Sequence, residues 1–226
     1  MKLYILSAVI FFQSFSAGAQ QRSKKIIHAG ERLSDYFTYR FPSFKEATVL
    51  LKNGDTLTYK MNFNMLLYSM EFINPKGGDT LEISTPEDID SIRFNNSTFF
   101  FKDDYFEILA AFYPVKLIVS RKASIEGVML GAMGLPARNY QVEGIDKINP
   151  KSLMTLDLRL NQDIYVYGKT DYFLISNEGE FKATKPNFLK IFKDDKKSIE
   201  NFLKLNKVNF NNQEDLEKLF HFCTHT

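Results

Sequence analysis

Apolar and polar residues alternate along residues 47–122 with the period of two that is typical of half-buried β-strands. The clearest alternation lies in residues 56–64, where the apolar side chains of one face are Leu57, Tyr59, Met61 and Phe63. The run before it ends at Asn53-Gly54, a dipeptide that favours a tight hairpin turn because both residues reach positive φ at low cost. These residues predict an antiparallel hairpin with one solvated face.

Similar runs follow in short segments that are separated by turn-forming residues. These segments are residues 66–72, 80–84, 89–94, 97–101, 105–111 and 115–122. Together with the first hairpin they make eight short strands at a spacing that is typical of an up-and-down sheet. We therefore predict an antiparallel β-meander over residues 47–122, curled into a roll or small barrel.

The period of the apolar residues changes to that of a helix near Pro186. Before that point, residues 153–160, 164–167 and 172–176 predict additional short strands. After it come three short amphipathic helices, of which the last aligns its apolar residues at i, i+3, i+4 and i+7: Leu216, Leu219, Phe220 and Cys223. Such helices must cover an apolar surface, most economically the second half of the sheet. The predicted fold class is α+β: a meander, a short β segment and three C-terminal helices.

The first 19 residues have the features of a secretory signal peptide. A basic start is followed by an apolar run over residues 3–12 and by small residues that end at Ala19. A buried N-terminal helix or a membrane anchor is the alternative, but the run is shorter than the roughly 20 residues that span a bilayer. No cysteine follows the small residues, so a lipoprotein is not expected. We expect export to the periplasm or the extracellular space.

The remaining chain divides into segments of different character around the meander. Residues 20–46 form an aromatic lead-in, residues 123–150 a Gly-rich flexible excursion, and residues 151–226 pack on the meander to complete a single domain. Aromatic residues of the lead-in belong either to the core or to a surface patch, and the excursion is either flexible or touches a partner. The candidate interaction surface from both segments is Tyr36, Tyr39, Phe41, Val128, Met129, Leu130 and Met133.

Charge and cysteine content narrow the classes of partner. The chain has 29 basic and 27 acidic residues, a balance that provides no electrostatic attraction for nucleic acid or for an anionic membrane. Its single cysteine, Cys223, cannot form an internal disulfide. With no membrane span expected after signal removal, an unknown envelope protein or an apolar ligand is the expected partner.

Histidine and cysteine come close in sequence only at His221-x-Cys223-x-His225. A spacing of two on a helix turns successive side chains by about 200°, so the three side chains do not converge. The helical phase also predicts that Cys223 is buried, which disfavours a role as nucleophile. A packed cysteine between two solvated histidines is therefore expected rather than a metal site.

Acidic pairs occur at residues 88 and 90, 103 and 104, and 194 and 195. Each lies at a turn or a helix start, where aspartate caps the backbone. Spacing alone leaves open a paired-carboxylate hydrolase. The chain contains no nucleophile-elbow, P-loop or dinucleotide-binding motif. We predict no catalytic, cofactor-binding or metal site.

The order of motifs is similar to that of uncharacterised exported proteins common in Bacteroidota. The similarity lies in F-P-x-F, in the strand VLLKNGDTLTYKMNFN and in LLYSMEFI followed by NPKGGDTLEI. It continues in the C-terminal part, at residues 172–174 and 188–192 and in a helix pair that ends at Phe222-Cys223. The resemblance implies export and this architecture, and it transfers no site residue.

Three functions are consistent with these features. The leading hypothesis is a non-catalytic binding or interaction module of the cell envelope, since a large aromatic-lined sheet lacks a catalytic motif. A carrier of a small molecule or lipid is the second, because a curled sheet of this size can enclose an apolar ligand. A hydrolase with paired carboxylates is the third.

Overall fold

The structure, a computed structural model, describes residues 24–31, 39–127 and 163–225. Its strands form one antiparallel sheet of 11 strands. They are β1 (Lys24–Ile27), β2 (Lys45–Leu51), β3 (Thr56–Asn64), β4 (Ser69–Ile73), β5 (Thr80–Glu82), β6 (Ile89–Phe94), β7 (Ser97–Phe101), β8 (Tyr105–Phe112), β9 (Val115–Gly127), β10 (Ile164–Ser176) and β11 (Gly179–Lys182). The predicted antiparallel sheet is therefore confirmed.

The C-terminal part forms the three predicted helices, which confirms the α+β class. They are α1 (Lys185–Ile191), α2 (Lys196–Asn206) and α3 (Gln213–Thr224). The Asn212 side chain caps α3 by accepting a hydrogen bond from the backbone N–H of Asp215 at 3.0 Å. Short 3₁₀ turns lie at Pro86–Asp88 and Lys193–Asp195. Among the described helices, none combines the length and the hydrophobicity that crossing a membrane requires.

The hydrogen-bonded order of the sheet is β1-β10-β9-β8-β7-β6-β2-β3-β4-β5, with β11 also paired to β10. Two strands were predicted in residues 164–176, but the structure has one long strand. The polar stretch in its middle stays in the ladder because each residue pairs with β9, for example Lys169 with Lys122 and Asp171 with Ser120. The same pairing extends β9 to Gly127, beyond the predicted strand end at residue 122. The predicted strand at 153–160 lies outside the described residues.

The sheet curls strongly around its aromatic side chains. The Phe63 ring on β3 lies 5.7 Å from the Phe99 ring on β7 and 5.9 Å from the Tyr105 ring on β8, between centroids. In a flat sheet these strands would stand three and four spacings apart, or roughly 14 and 19 Å at about 4.8 Å per strand. The turn after β3 also reaches β9, where Ala123 N–H donates to the Met65 carbonyl at 2.7 Å. The described strands nevertheless form an open ladder that ends at β5.

Two large clusters of buried side chains lie on the sheet. We call the first the sheet core; it fills the curl with Phe41, Ala47, Val49, Met61, Phe63, Met70, Ile89, Ile92, Phe94, Phe99 and Tyr105. We call the second the helix–sheet core; it joins the helices to β9 and β10 through Val115, Leu117, Leu174, Ala183, Phe188, Ile199, Leu216, Leu219, Phe220 and Cys223. The helices thus cover the later strands and leave one end of the curl uncovered.

Candidate functional site

An apolar cleft of about 320 Å³ opens at the end of the curl that the helices do not cover. We call it the mouth cleft. Its floor consists of sheet-core residues that are almost fully buried: Val49, Met61 and Ile89. Its walls are half-buried apolar side chains: Leu51, Tyr59, Phe72 and Ile83. The exposed Leu57 and four polar residues complete its lining: Glu82, Ser84, Thr85 and Asp88.

Local sequence explains why this end of the sheet stays open. The hairpin between β2 and β3 turns at Gly54, whose φ of +93° lies in the region that glycine favours. On its strands, Leu51 and Tyr59 pack against the edge of the sheet core and line the cleft. The chain then returns beside them, held by a hydrogen bond of 2.9 Å from Lys52 N–H to the Asp88 carbonyl. Asp88 and Ile89 of the returning segment line the cleft together with residues of the hairpin.

A buried hydroxyl group lies in the sheet core near this end. Tyr105 is 4 % exposed, and among the described residues its hydroxyl has no hydrogen-bond partner. Burial raises the pKa of Tyr105, and the nearby carboxylates of Glu82 and Glu87 raise it further. An unsatisfied buried hydroxyl costs on the order of 1–3 kcal/mol. A ligand group that reached this oxygen would recover part of that cost.

The first of two buried carboxylates, Glu107 on β8, is held by two arginines. Arg40 donates to it through Nε at 3.0 Å and Nη2 at 3.1 Å, and Arg121 donates through Nε at 2.9 Å. Ser97 adds a hydroxyl donor at 2.8 Å, and Arg121 continues to Gln213 on α3 at 2.6 Å. This cluster connects the segment before β2, the sheet and the last helix.

The second buried carboxylate, Glu71 on β4, is held by neutral donors. The Tyr39 hydroxyl donates to it at 2.6 Å and the Asn64 amide at 2.9 Å. Ser69 lies 3.4 Å away. Burial and the Glu71 carboxylate both raise the pKa of Tyr39 above its usual value. Tyr39 is therefore a hydrogen-bond donor at neutral pH, and it links the segment before β2 to β4.

Replacing Tyr39 by Phe is expected to lower the free energy of unfolding by about 1.5–2 kcal/mol, because Glu71 loses a charge-assisted hydrogen bond. Because the pKa of Tyr39 is raised in the folded protein, this stabilisation is fully present below the unfolded pKa of about 10. It is lost as the pH rises through the folded pKa. Urea titration at pH 7 measures the effect. Tyr113→Phe is the control, since Tyr113 is 91 % exposed. Equal stability of the Tyr39 variant and the wild type would contradict the assignment.

Neither buried carboxylate lines the mouth cleft. The paired-carboxylate hypothesis requires two acids that face each other across a substrate site. Glu107 is neutralised by Arg40 and Arg121, and Glu71 is occupied by Tyr39 and Asn64. Both acids therefore hold segments of the fold together through buried hydrogen bonds.

Two residues of the predicted interaction surface lie in the described part of the chain. Phe41 is 9 % exposed and packs in the sheet core, 4.8 Å from the Phe94 ring, while the Asn62 side chain bonds both its N–H and its carbonyl. Phe41 is therefore a core residue. Tyr39 is half-buried. The other predicted residues lie outside the described ranges: Tyr36, Val128, Met129, Leu130 and Met133.

The C-terminal histidines and cysteine do not converge. Cys223 is 5 % exposed in the helix–sheet core, whereas the His221 and His225 rings stack with centroids 3.9 Å apart. Burial and the Asp195 carboxylate raise the pKa of the Cys223 thiol to about 12, which opposes a role as nucleophile. Within the described ranges, no three His, Cys, Asp or Glu side chains are arranged to hold a metal ion.

Sequence reasoning missed the buried charges and the mouth cleft. Glu107 stands inside the apolar run YFEILAA, and a charged residue in such a run is the signal that could have drawn attention to it. Its partners Arg40 and Arg121 are 67 and 14 residues away in the chain, and no local pattern connects them. The cleft arises from the curl and has no signature in the alternation.

Comparison of the chain with protein-family models, with curated proteins and with solved structures found no match. The resemblance to exported proteins of Bacteroidota therefore rests on its sequence motifs alone.

Proposed function

We propose that this protein is an exported, non-catalytic binding protein of the cell envelope whose mouth cleft holds the apolar part of a small ligand. The observation that carries the proposal is the cleft itself, in which a buried core floor is surrounded by half-buried apolar walls. Apolar surface that is left uncovered at the end of a packed core is typical of a ligand site.

The size and charge of the cleft narrow the class of ligand. Its volume of about 320 Å³ lies at the lower end of the roughly 300–1,000 Å³ that small-molecule sites occupy. Glu82 and Asp88 lie in its lining, so an anionic ligand would meet like charge. A neutral molecule with one apolar arm fits these constraints best.

The proposal includes export because the first 19 residues have a basic start, a short apolar run and small residues. These features favour a signal peptide. A binding role is favoured over hydrolysis because the two buried carboxylates are each engaged in the fold. A mature protein in the envelope would meet apolar molecules that have to be carried through water. The mouth cleft would hold such a molecule during transport without catalysing a reaction.

The cleft is tested with the neutral fluorescent probe N-phenyl-1-naphthylamine. The wild type is expected to bind it, and Ile83→Lys should weaken binding at least about tenfold by placing a charge in the apolar wall. Leu81→Lys is the matched control, because Leu81 lies on β5, is 42 % exposed and does not line the cleft. Its affinity should stay within about twofold of the wild type. Circular dichroism verifies that both variants are folded.

The result that would contradict the proposal is equal binding by the wild type and the Ile83 variant, or no binding at all. Native mass spectrometry of gently purified protein gives a second readout. A bound mass that is present in the wild type and absent from Ile83→Lys would support the cleft as the site.

A second candidate function is supported by the edge of the sheet. β5 ends the hydrogen-bonded order, and all of its residues are exposed. An extended segment of a partner protein could add a strand there. In that case Leu81→Lys would weaken binding of the partner while leaving probe binding unchanged, so the same pair of variants separates the two functions.

A further inference from the structure

A second cleft, distinct from the mouth cleft, lies on the side of the sheet that the helices cover. Its volume is about 470 Å³. It is bounded by the β8–β9 hairpin tip, by the turn between β10 and β11 and by the helical segments around Phe192, Asp195 and Cys223. None of its lining residues lines the mouth cleft. We call it the helix-side cleft.

Three aromatic rings line this cleft, and two of them are largely accessible to solvent. Tyr113 at the hairpin tip is 91 % exposed and Phe112 is 53 % exposed, although both are large apolar side chains. Phe192 lines the cleft from the helical side and is half-buried. Exposed aromatic rings around a concave surface are typical of a site that binds a ligand rather than of a solvated loop.

Asp195 supplies a carboxylate to the same cleft. It occupies the N-cap position of α2, but its side chain accepts no capping hydrogen bond. No described Lys, Arg or His side chain forms an ion pair with it, and it is half-buried. The other acid in the lining, Glu178, differs because Lys190 lies 3.4 Å from it. The helix-side cleft therefore contains one half-buried carboxylate that forms no ion pair within the described chain.

We propose that the helix-side cleft binds a small organic ammonium ion, with its charge against Asp195 and its alkyl groups against Phe112, Tyr113 and Phe192. Aromatic faces attract cations, and a carboxylate beside them adds direct charge complementarity. The volume suits a free small molecule, since small-ligand sites span roughly 300–1,000 Å³. This site does not depend on the mouth cleft, and either site can fail its test without affecting the other.

The test compares choline with its uncharged isostere 3,3-dimethylbutan-1-ol by isothermal titration calorimetry on the full protein. Choline is expected to bind at least about tenfold more tightly than the isostere, because charge is the difference between them. Asp195→Asn should reduce the choline affinity by about tenfold or more. Asp194→Asn is the matched control, since Asp194 is the exposed neighbour that does not line the cleft, and its affinity should stay within about twofold.

A variant of the aromatic lining locates the bound ion. Tyr113→Ala, which removes one of the rings that line the helix-side cleft, should also weaken choline binding. The proposal is overturned if choline does not bind, if the neutral isostere binds equally well, or if Asp195→Asn retains the affinity of the wild type.

Discussion

Replacing Glu107 by Gln is expected to lower the free energy of unfolding by about 3 kcal/mol. Glu107 is 5 % exposed, whereas the side chains of Arg40 and Arg121 are 29 % and 18 % exposed. Removing the carboxylate charge leaves two partly buried guanidinium groups without a counter-charge. Solvent reaches both arginines in part, so the expected loss lies at the lower end of the roughly 3–5 kcal/mol that breaking a buried pair costs.

The pH dependence of this loss follows from the pKa of Glu107. Burial by itself would raise that pKa, but the hydrogen bonds and charges of Arg40 and Arg121 outweigh it and hold the pKa below its usual value. A carboxyl group whose folded pKa is depressed stabilises the fold above its unfolded pKa of about 4.3. That contribution is lost as the pH falls through the folded value. The difference between wild type and Glu107→Gln should therefore be constant near neutrality and shrink in acid.

Urea titrations from pH 3 to pH 8 measure both effects. Glu180→Gln is the matched control because Glu180 pairs with Lys102 at 3.0 Å on the surface, where the Lys102 side chain is 51 % exposed. Glu180→Gln should lower the free energy of unfolding by less than about 1 kcal/mol. The buried cluster does not stabilise the fold in this way if both variants lose the same free energy of unfolding. The same conclusion follows if the difference between wild type and Glu107→Gln does not change with pH.

Truncating Phe63 to Ala is expected to cost about 3–5 kcal/mol, the range for removing a buried aromatic side chain. Phe63 is 2 % exposed and contacts the rings of Phe99 and Tyr105, which belong to strands three and four places away in the sheet. The truncation removes buried surface and leaves a cavity at the point where the two sides of the curl meet. The free energy of unfolding from urea titration reports the loss.

Leu57→Ala serves as the control on the same strand and the same face. Leu57 is 42 % exposed, so its truncation should cost less than about 1 kcal/mol. A small loss for Phe63→Ala, comparable with that of Leu57, would mean that the contacts across the curl do not hold the sheet together. A large loss with an unchanged Leu57 variant would support them.

Much of the fold can be predicted from local sequence. The alternation in residues 56–64 corresponds to β3, and the helical phase of the last segment buries Leu216, Leu219 and Cys223 as predicted. Strands and helices can be recognised from these patterns because each imposes a fixed repeat on the residues that face a core. Asn212 as helix cap is equally local, since it needs only the N–H of Asp215.

Other features depend on segments that are distant in the chain. β10 is continuous through a polar stretch because β9 supplies its hydrogen bonds, and this pairing decides against two separate strands. At Asp195, a local rule predicted backbone capping, but the structure leaves the side chain free of a capping bond and places it in the helix-side cleft. Local propensity could not anticipate either outcome.

By itself, the sequence determined the α+β class, the antiparallel strands and the three helices, because each follows from a repeat within a few residues. Only the tertiary structure decided how far the sheet curls, that Glu107 meets Arg40 and Arg121, and where the two clefts lie. The physical reason is the range of the interactions. Strand and helix patterns record which side of an element is buried, whereas a cleft or a buried ion pair depends on which distant surfaces come to face each other.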